Sequence, residues 1–357
     1  MRRLLASPLL RRALASLAVL VVAVFVIDLL SGYRQGQVAS VAYFAVAAGG
    51  LTLLIGVNGQ LSLGHGAFMA IGAYTTALLL QEGRELPVLV LLVAAVLVTM
   101  LVGLVVGIAA ARLHGPYVAG ATLALAIAVP SLAIHFREAL GGEPGLRVPT
   151  PDVPQVADDA IFFLTGTDVE PTQWLATISV TCLVLTFFLL RNLSQSRVGR
   201  RWRAVRDDPV AAQLAGIDLG RNRVLCFVVS TACAGLAGGL MALVTRIAAP
   251  SGFTLTLSLS LLMAVVLGGL GTLTGALLGA VLLTLLPTVV TNLGSSAGLS
   301  DLQSAELAPL VLGLTTMVVV LLAPSGLVGS LLRLRARSRV TRPTPSVTSH
   351  PTPGGTS

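Results

Sequence analysis

The sequence contains no lysine, although its 357 residues include 23 basic and 15 acidic side chains. P-loop ATPases need the lysine of the G-x-x-x-x-G-K-[ST] motif to reach the β- and γ-phosphates, so this chain is not a motor of that class. Cysteine is also scarce, with only three in the chain. Cys182, Cys226 and Cys233 lie in apolar runs without the C-x-x-C spacing of a metal or redox site. The sequence therefore predicts no metal, nucleotide or other cofactor, and an ATP-driven role would need a separate subunit.

Charged residues make up only 11% of the chain, whereas 55% of the residues are hydrophobic and the mean hydropathy is +0.91. Soluble domains carry about 25% charged residues, so this composition belongs in a bilayer. About 20 apolar residues cross the hydrocarbon core as a helix. We predict an all-α polytopic membrane protein with about ten transmembrane helices, near residues 13–30, 38–57, 61–80, 87–111, 117–135, 173–190, 224–245, 254–271, 273–291 and 307–323.

The distribution of arginine predicts the orientation of these helices. With a cytoplasmic N-terminus, 18 arginines fall on the cytoplasmic side and 5 on the other, as the positive-inside rule requires. Both termini are then cytoplasmic in the cell membrane, provided that segments 38–57 and 61–80 are separate. Since the basic residues are scattered between apolar runs, they argue against a nucleic-acid partner.

This topology divides the chain into a transmembrane domain over residues 1–332 and a tail over 333–357. The transmembrane domain includes an acidic extracytoplasmic loop at about 136–172, interpreted as a solvated connection, and an arginine-rich cytoplasmic loop at about 191–223. The first helix is interpreted as a retained span. The tail is basic and then rich in Pro, Ser, Thr and Gly, which predicts disorder and contact with membrane lipid.

Polar residues interrupt the apolar pattern in the stretch NGQLSLGHGAF at 58–68. Irregular backbone is tolerated in a membrane only where it is buried in protein or lines a watery cavity. The polar side chains therefore predict a solute pathway beside a broken helix, formed by Asn58, Gln60, Ser62 and His65. The alternative for the glycines here is close helix packing. A second glycine series predicts a packing stripe on one helix face, formed by Gly271, Gly275 and Gly279.

The cytoplasmic loop predicts two short helices. Val198, Trp202 and Val205 recur at i, i+4 and i+7, which makes one apolar face opposite the arginines. Asp208 is placed to cap a second helix that begins at Pro209, and Gly216 to end it. An amphipathic basic segment could lie on the membrane surface. The small face formed by Ala211, Ala212, Leu214 and Ala215 favours docking into a protein groove instead.

Four stretches in this order resemble one family. AVRDDPVAAQLAGI at 204–217 resembles the cytoplasmic coupling loop of M-type permease subunits of branched-chain amino-acid ABC transporters. NGQLSLGHGAF, VLGGLGTLTGALLGA at 266–280 and PSGLVG at 324–329 resemble further landmarks of that family. LGGEPGL at 140–146 departs from the Thr-Gly-Gly-Ser/Thr-like turn that is usual there.

The resemblance implies an importer in which this chain is a half-pore and not an enzyme. Its partners would be a related H-type permease subunit, two ABC ATPase subunits and an extracytoplasmic solute-binding protein. The solute would be a branched-chain amino acid, with urea or a short amide as the alternative. A glycine-rich channel is the rival from another class, but it leaves the cytoplasmic loop unexplained. The ATPase contact would involve Val198, Gly199, Trp202, Arg203, Arg206, Asp207, Asp208, Pro209, Ala211, Ala212 and Gly216.

Overall fold

The computed structural model describes residues 8–81, 86–112, 116–166, 169–322 and 326–330, so the tail predicted at 333–357 lies outside the described residues. The helices in chain order are α1 (Pro8–Asp28), α2 (Gly32–Thr52), α3 (His65–Leu79), α4 (Val88–Ala111), α5 (Pro116–His135), α6 (Arg137–Leu140), α7 (Gln155–Thr165), α8 (Pro171–Gln195), α9 (Arg197–Asp207), α10 (Pro209–Leu214), α11 (Leu219–Thr245), α12 (Leu255–Gly268), α13 (Leu273–Ser296) and α14 (Asp301–Leu322). A π-helical turn, Leu53–Val57, follows α2, and a 3₁₀ turn, Pro250–Phe253, precedes α12. Two short strands, β1 (Leu146–Arg147) and β2 (Ile247–Ala248), pair antiparallel.

Nine helices in the described part of the chain are long and apolar enough to cross a membrane. They are α1, α2 with its π turn, α4, α5, α8, α11, α12 with its 3₁₀ turn, α13 and α14. The all-α polytopic membrane fold is thereby confirmed. The remaining predicted segment, 61–80, is shorter than expected because its helix, α3, begins only at His65. Its 15 residues span about 22 Å, and irregular chain occupies the positions before it.

Helix α11 lies at the centre of the bundle, against α2, α3 and α4. Lipid tails are as apolar as leucine side chains, so close backbone approach drives much of this packing. A Cβ added at Gly72 would collide with the backbone of Gly235, and one added at Gly238 would collide with the backbone of Met69. Small residues therefore set how closely α3 and α11 pack.

The second glycine series divides between a helix and a turn. Gly275 and Gly279 lie on α13, where an added Cβ would meet the α12 backbone at Gly268 and at Ala264. Gly271, predicted on the same helix face, instead lies in the turn before α13 with φ +82°. The prediction was wrong for Gly271 because Thr272 caps the helix, its Oγ1 accepting from the Gly275 N–H at 3.2 Å.

Contacts between distant segments fix which connections share a side of the membrane. Arg12 Nη1 donates to Asn192 Oδ1 at 3.0 Å, and Gln60 Nε2 donates to the Arg223 carbonyl at 3.0 Å. The start of α1, the chain between α2 and α3, and the loop at 191–223 are therefore on one side. The separation of segments 38–57 and 61–80, on which the predicted alternation depends, is confirmed.

The loop at 136–172 is more ordered than the solvated connection expected from its acidity. It contains α6, α7 and β1, and its Leu146 and Val148 are buried. Gly145 has φ +72°, and an added Cβ there would collide with the Ala248 carbonyl of β2. The LGGEPGL stretch thus joins this loop to the chain after α11.

Candidate solute pathway and coupling site

The four polar residues predicted to line a pathway are all buried, three in the chain between the π turn and α3 and the fourth at the first position of α3. Their exposed fractions are 3% for Asn58, 9% for Gln60, 2% for Ser62 and 1% for His65. The π turn leads the chain into this region, since the Asn58 N–H donates to the Leu53 carbonyl, five residues back, at 3.2 Å. π turns occur mainly as single turns inside helices and often at functional sites.

Most of the polar atoms of this segment have partners within the chain. Gln60 Nε2 donates to Asn58 Oδ1 at 2.6 Å as well as to Arg223. His65 Nε2 donates to the Ala47 carbonyl of α2 at 3.0 Å. Ser62 Oγ accepts from the Gly64 N–H at 3.4 Å. Asn58 Nδ2 is buried and has no hydrogen-bond partner in the described part of the chain.

Hydroxyl groups from two other helices satisfy backbone donors at the start of α3. Thr122 Oγ1 of α5 accepts from the Leu63 N–H at 2.9 Å, and Ser258 Oγ of α12 accepts from the Gly66 N–H at 2.9 Å. The first N–H groups of a helix need such partners. Sequence reasoning missed Thr122 and Ser258, whose only signal is a hydroxyl residue within an apolar helix. The irregular segment thus connects α2, α5, α11 and α12.

The two helices predicted in the cytoplasmic loop are confirmed as α9 and α10. Asp208 Oδ1 caps α10 by accepting from the N–H groups of Val210 at 2.9 Å and Ala211 at 3.0 Å. Pro209 is the first residue of α10, and Gly216 follows its end with φ +79°. Local capping chemistry therefore fixes both ends of this short helix.

The apolar face of α9 packs against its own chain. Trp202 is fully buried and Val205 is 3% exposed, while α9 contacts α8, α11 and the π turn. Gly199 permits this contact, because an added Cβ would collide with the Ser194 carbonyl at the end of α8. This face of α9 is therefore not free to bind lipid or a partner, whereas the Arg203 side of the helix is exposed.

The exposed apolar surface of the loop lies on α10. Val210 is 67% exposed and Leu214 is 85% exposed, one helical turn apart, with exposed Ala211 beside them. Ala212 is only 4% exposed and faces its own chain, which corrects its predicted place on the partner-facing surface. Val210 was missed, although its i, i+4 spacing from Leu214 was a usable signal. We call Val210, Ala211 and Leu214 the α10 face.

A direct contact joins α9 to the irregular segment. Arg206 Nη1 donates to the Gly56 carbonyl in the π turn, and its Cγ lies 2.9 Å from where a Cβ of Gly59 would stand. Gly59 has φ +79°, a conformation that favours glycine. The α10 face, α9 and the π turn are therefore consecutive parts of one contiguous structure.

Comparisons with known proteins agree with these features. The family profile described as branched-chain amino acid transport system / permease component matches residues 34–321. The chain is 33% identical over 247 residues to the high-affinity branched-chain amino acid transport system permease protein LivM of Salmonella typhimurium, and 32% identical over 252 residues to LivM of Escherichia coli. Each alignment covers 66% of this chain and 58% of the relative, so the chain matches little more than half the length of these proteins. The permease protein LivH of Salmonella typhimurium is 27% identical over 297 residues, which cover 80% of this chain and 91% of LivH. No solved structure matches the chain.

Proposed function

Because the chain belongs to the branched-chain amino acid transport permease family, we propose that it is an M-type permease subunit of an ATP-driven importer of branched-chain amino acids. It contributes half of the pore and no catalysis, so ATP hydrolysis comes from two separate ATPase subunits. The exposed α10 face on a helix connected to the membrane core is the single observation that carries this proposal. The absence of lysine, and with it of a Walker A motif, supports the division of labour.

The contacts of the cytoplasmic loop suggest how ATP binding would move the pore. An apolar helix face in a protein groove is a recurring docking mode, and the α10 face offers such a surface. Because α10 is capped at both ends, a partner that shifts it also shifts α9. Arg206 would pass that displacement to Gly56 and so to the irregular segment.

The surface of α5 suits contact with a second, H-type permease subunit. Gly120, Ala124 and Ala128 recur at four-residue spacing and are all exposed. Small residues at this spacing allow membrane helices to approach closely. On the opposite side from α10, the loop at 136–172 would meet an extracytoplasmic solute-binding protein, which supplies most of the solute selectivity.

The buried polar segment remains our proposed solute pathway. The unpaired Asn58 Nδ2 supports it, because a buried polar atom without a partner calls for an explanation. We expect Gln60→Leu and Ser62→Leu to lower uptake at normal assembly, since each removes polar atoms and adds apolar bulk. Leu61→Ala, between them but 43% exposed, is the matched control. Full uptake by both leucine variants would assign the segment to packing alone.

Purification and reconstitution would test the function as a whole. In mild detergent the chain should co-purify with ATPase and H-type permease subunits. In vesicles that also contain the binding protein, the assembly should take up labelled leucine only with ATP, with competition from isoleucine and valine. ATP-driven uptake of urea without uptake of leucine would point to the related amide transporters. A homo-oligomer that leaks solute without ATP would identify a channel.

A further inference from the structure

A cleft of about 650 Å³ lies between α1, α8 and α13, and no residue of the irregular segment lines it. Most of its wall is apolar, including Val19, Phe187 and Leu277, but one end carries Arg11, Arg12 and Arg191. A second cavity, of about 280 Å³, lies between α1 and α8. The two share Ser16, Val184 and Phe188 as lining residues, and by helical position their other lining residues lie on opposite sides of these three. The larger cleft is therefore a groove of its own with a basic mouth.

The basic mouth has neutral partners in the described part of the chain. Arg12 is held by neutral amides, donating to Asn192 Oδ1 at 3.0 Å and to Gln195 Oε1. Among the described residues, the one ion pair is between Arg221 and Asp218, so no carboxylate pairs with Arg11, Arg12 or Arg191. Three guanidinium groups at the end of an apolar groove therefore offer a site to an anion that carries a long apolar group.

The dimensions of the groove match one leaflet of a bilayer. The residues of α1 that line it run from Arg11 to Val19, a distance of about 12 Å along the helix. Half of the hydrocarbon core is about 15 Å. The mouth lies on the same side as the arginine-rich loop, because Arg12 contacts the end of α8.

We propose that this groove binds a phospholipid with an anionic headgroup. The phosphate lies at Arg11 and Arg191, and an acyl chain follows the apolar wall between α1 and α8. A free phosphate would fill only the mouth, and an apolar helix of another subunit would bring no charge for the arginines. The bound lipid would fill the space that separates α1 from α13. The proposal does not depend on which solute the chain transports.

Native mass spectrometry of the detergent-solubilised full-length protein would test the headgroup. Phosphatidylglycerol should be retained as one bound lipid, in preference to phosphatidylcholine with the same acyl chains. Each arginine near an anionic surface contributes about a factor of five in affinity, so Arg11→Gln with Arg191→Gln should weaken retention about 25-fold. Arg34→Gln with Arg147→Gln removes the same charge from exposed positions on the other side and should leave retention unchanged. Equal retention of the two lipids, or no loss in the double variant, would overturn the proposal.

A second set of measurements would test the acyl-chain groove and the rival occupants. Ala15→Phe fills the groove and should reduce retention, whereas Leu14→Phe, its neighbour outside both cavity linings, should not. A benzophenone side chain at Val19, which lines the groove, should cross-link to phosphatidylglycerol in membranes. Cross-linking to a protein subunit instead would assign the groove to a partner. Displacement of the lipid by millimolar glycerol phosphate would show that the site takes the phosphate alone.

Discussion

His65 shows how one polar residue is used inside this membrane protein. It is 1% exposed, and its Nε2 donates to the Ala47 carbonyl at 3.0 Å. The bond joins the first residue of α3 to α2 across 18 positions of sequence. A polar group in an apolar interior is costly unless it is paired, so the pairing favours a positional role for this side chain.

His65→Ala should therefore destabilise the protein. The variant removes the hydrogen bond and leaves a cavity, which should lower the free energy of unfolding by about 1–3 kcal/mol. Thermal unfolding in mild detergent would measure it. His135→Ala, at an exposed histidine, should change the midpoint little. Equal midpoints for the two variants would contradict the role assigned to His65.

Gly56 is the residue at which the π turn meets the turn before α13. A Cβ added at Gly56 would collide with the backbone nitrogen and Cα of Gly271. Overpacking of this kind costs about 1–3 kcal/mol, so Gly56→Ala should reduce stability and folded yield. Gly36→Ala, in α2 before the π turn but in open space, should be neutral or stabilising because alanine favours helices. Detergent-extracted yield by size-exclusion chromatography would compare them, and a normal yield for Gly56→Ala would disprove the tight contact.

At the scale of elements, the predictability of the fold depends on the range of the interactions. The ends of α10 could be predicted because Asp208, Pro209 and Gly216 act on their immediate neighbours. Whether Ala212 lies on the buried or the exposed side of α10 could not be predicted. A helix of six residues is too short to show a reliable periodicity, and contact with distant helices decides which side is buried. The same limit hid Thr122 and Ser258, whose acceptor role exists only once α5 and α12 lie beside α3.

A carboxylate introduced on the α10 face should have a different effect from one introduced on the buried side of α10. Leu214→Glu should leave the permease at normal abundance but weaken ATPase association at least tenfold, because docking would bury an unpaired charge. Gln213→Glu adds the same charge to an exposed position beside the face and should have a smaller effect. Ala212→Glu should instead lower the abundance of the permease itself. Co-purification of ATPase per permease would measure the first two, and full association in Leu214→Glu would remove α10 as the docking helix.

For the whole molecule, the sequence predicted which connections share a side of the membrane better than it predicted individual contacts. Positive charge is a bulk property of each connection, so counting arginines needs no knowledge of packing. The pairing of Gln60 with Arg223 and of β1 with β2 agrees with that alternation. These contacts do not determine the absolute orientation in the membrane, because they are the same whichever side faces the cytoplasm.

Cysteine labelling in intact cells would determine the orientation. The native thiols provide a low background, since Cys226 and Cys233 are buried and Cys182 is half-buried in α8. We expect Asp159→Cys, at an exposed position in α7, to react with a membrane-impermeant maleimide from outside. Arg201→Cys, exposed on α9, should react only after permeabilisation, because the proposed docking site for ATPases must face the ATP of the cytoplasm. The reverse pattern would overturn the orientation and the importer together, whereas labelling of both positions from one side would contradict the arrangement of the helices.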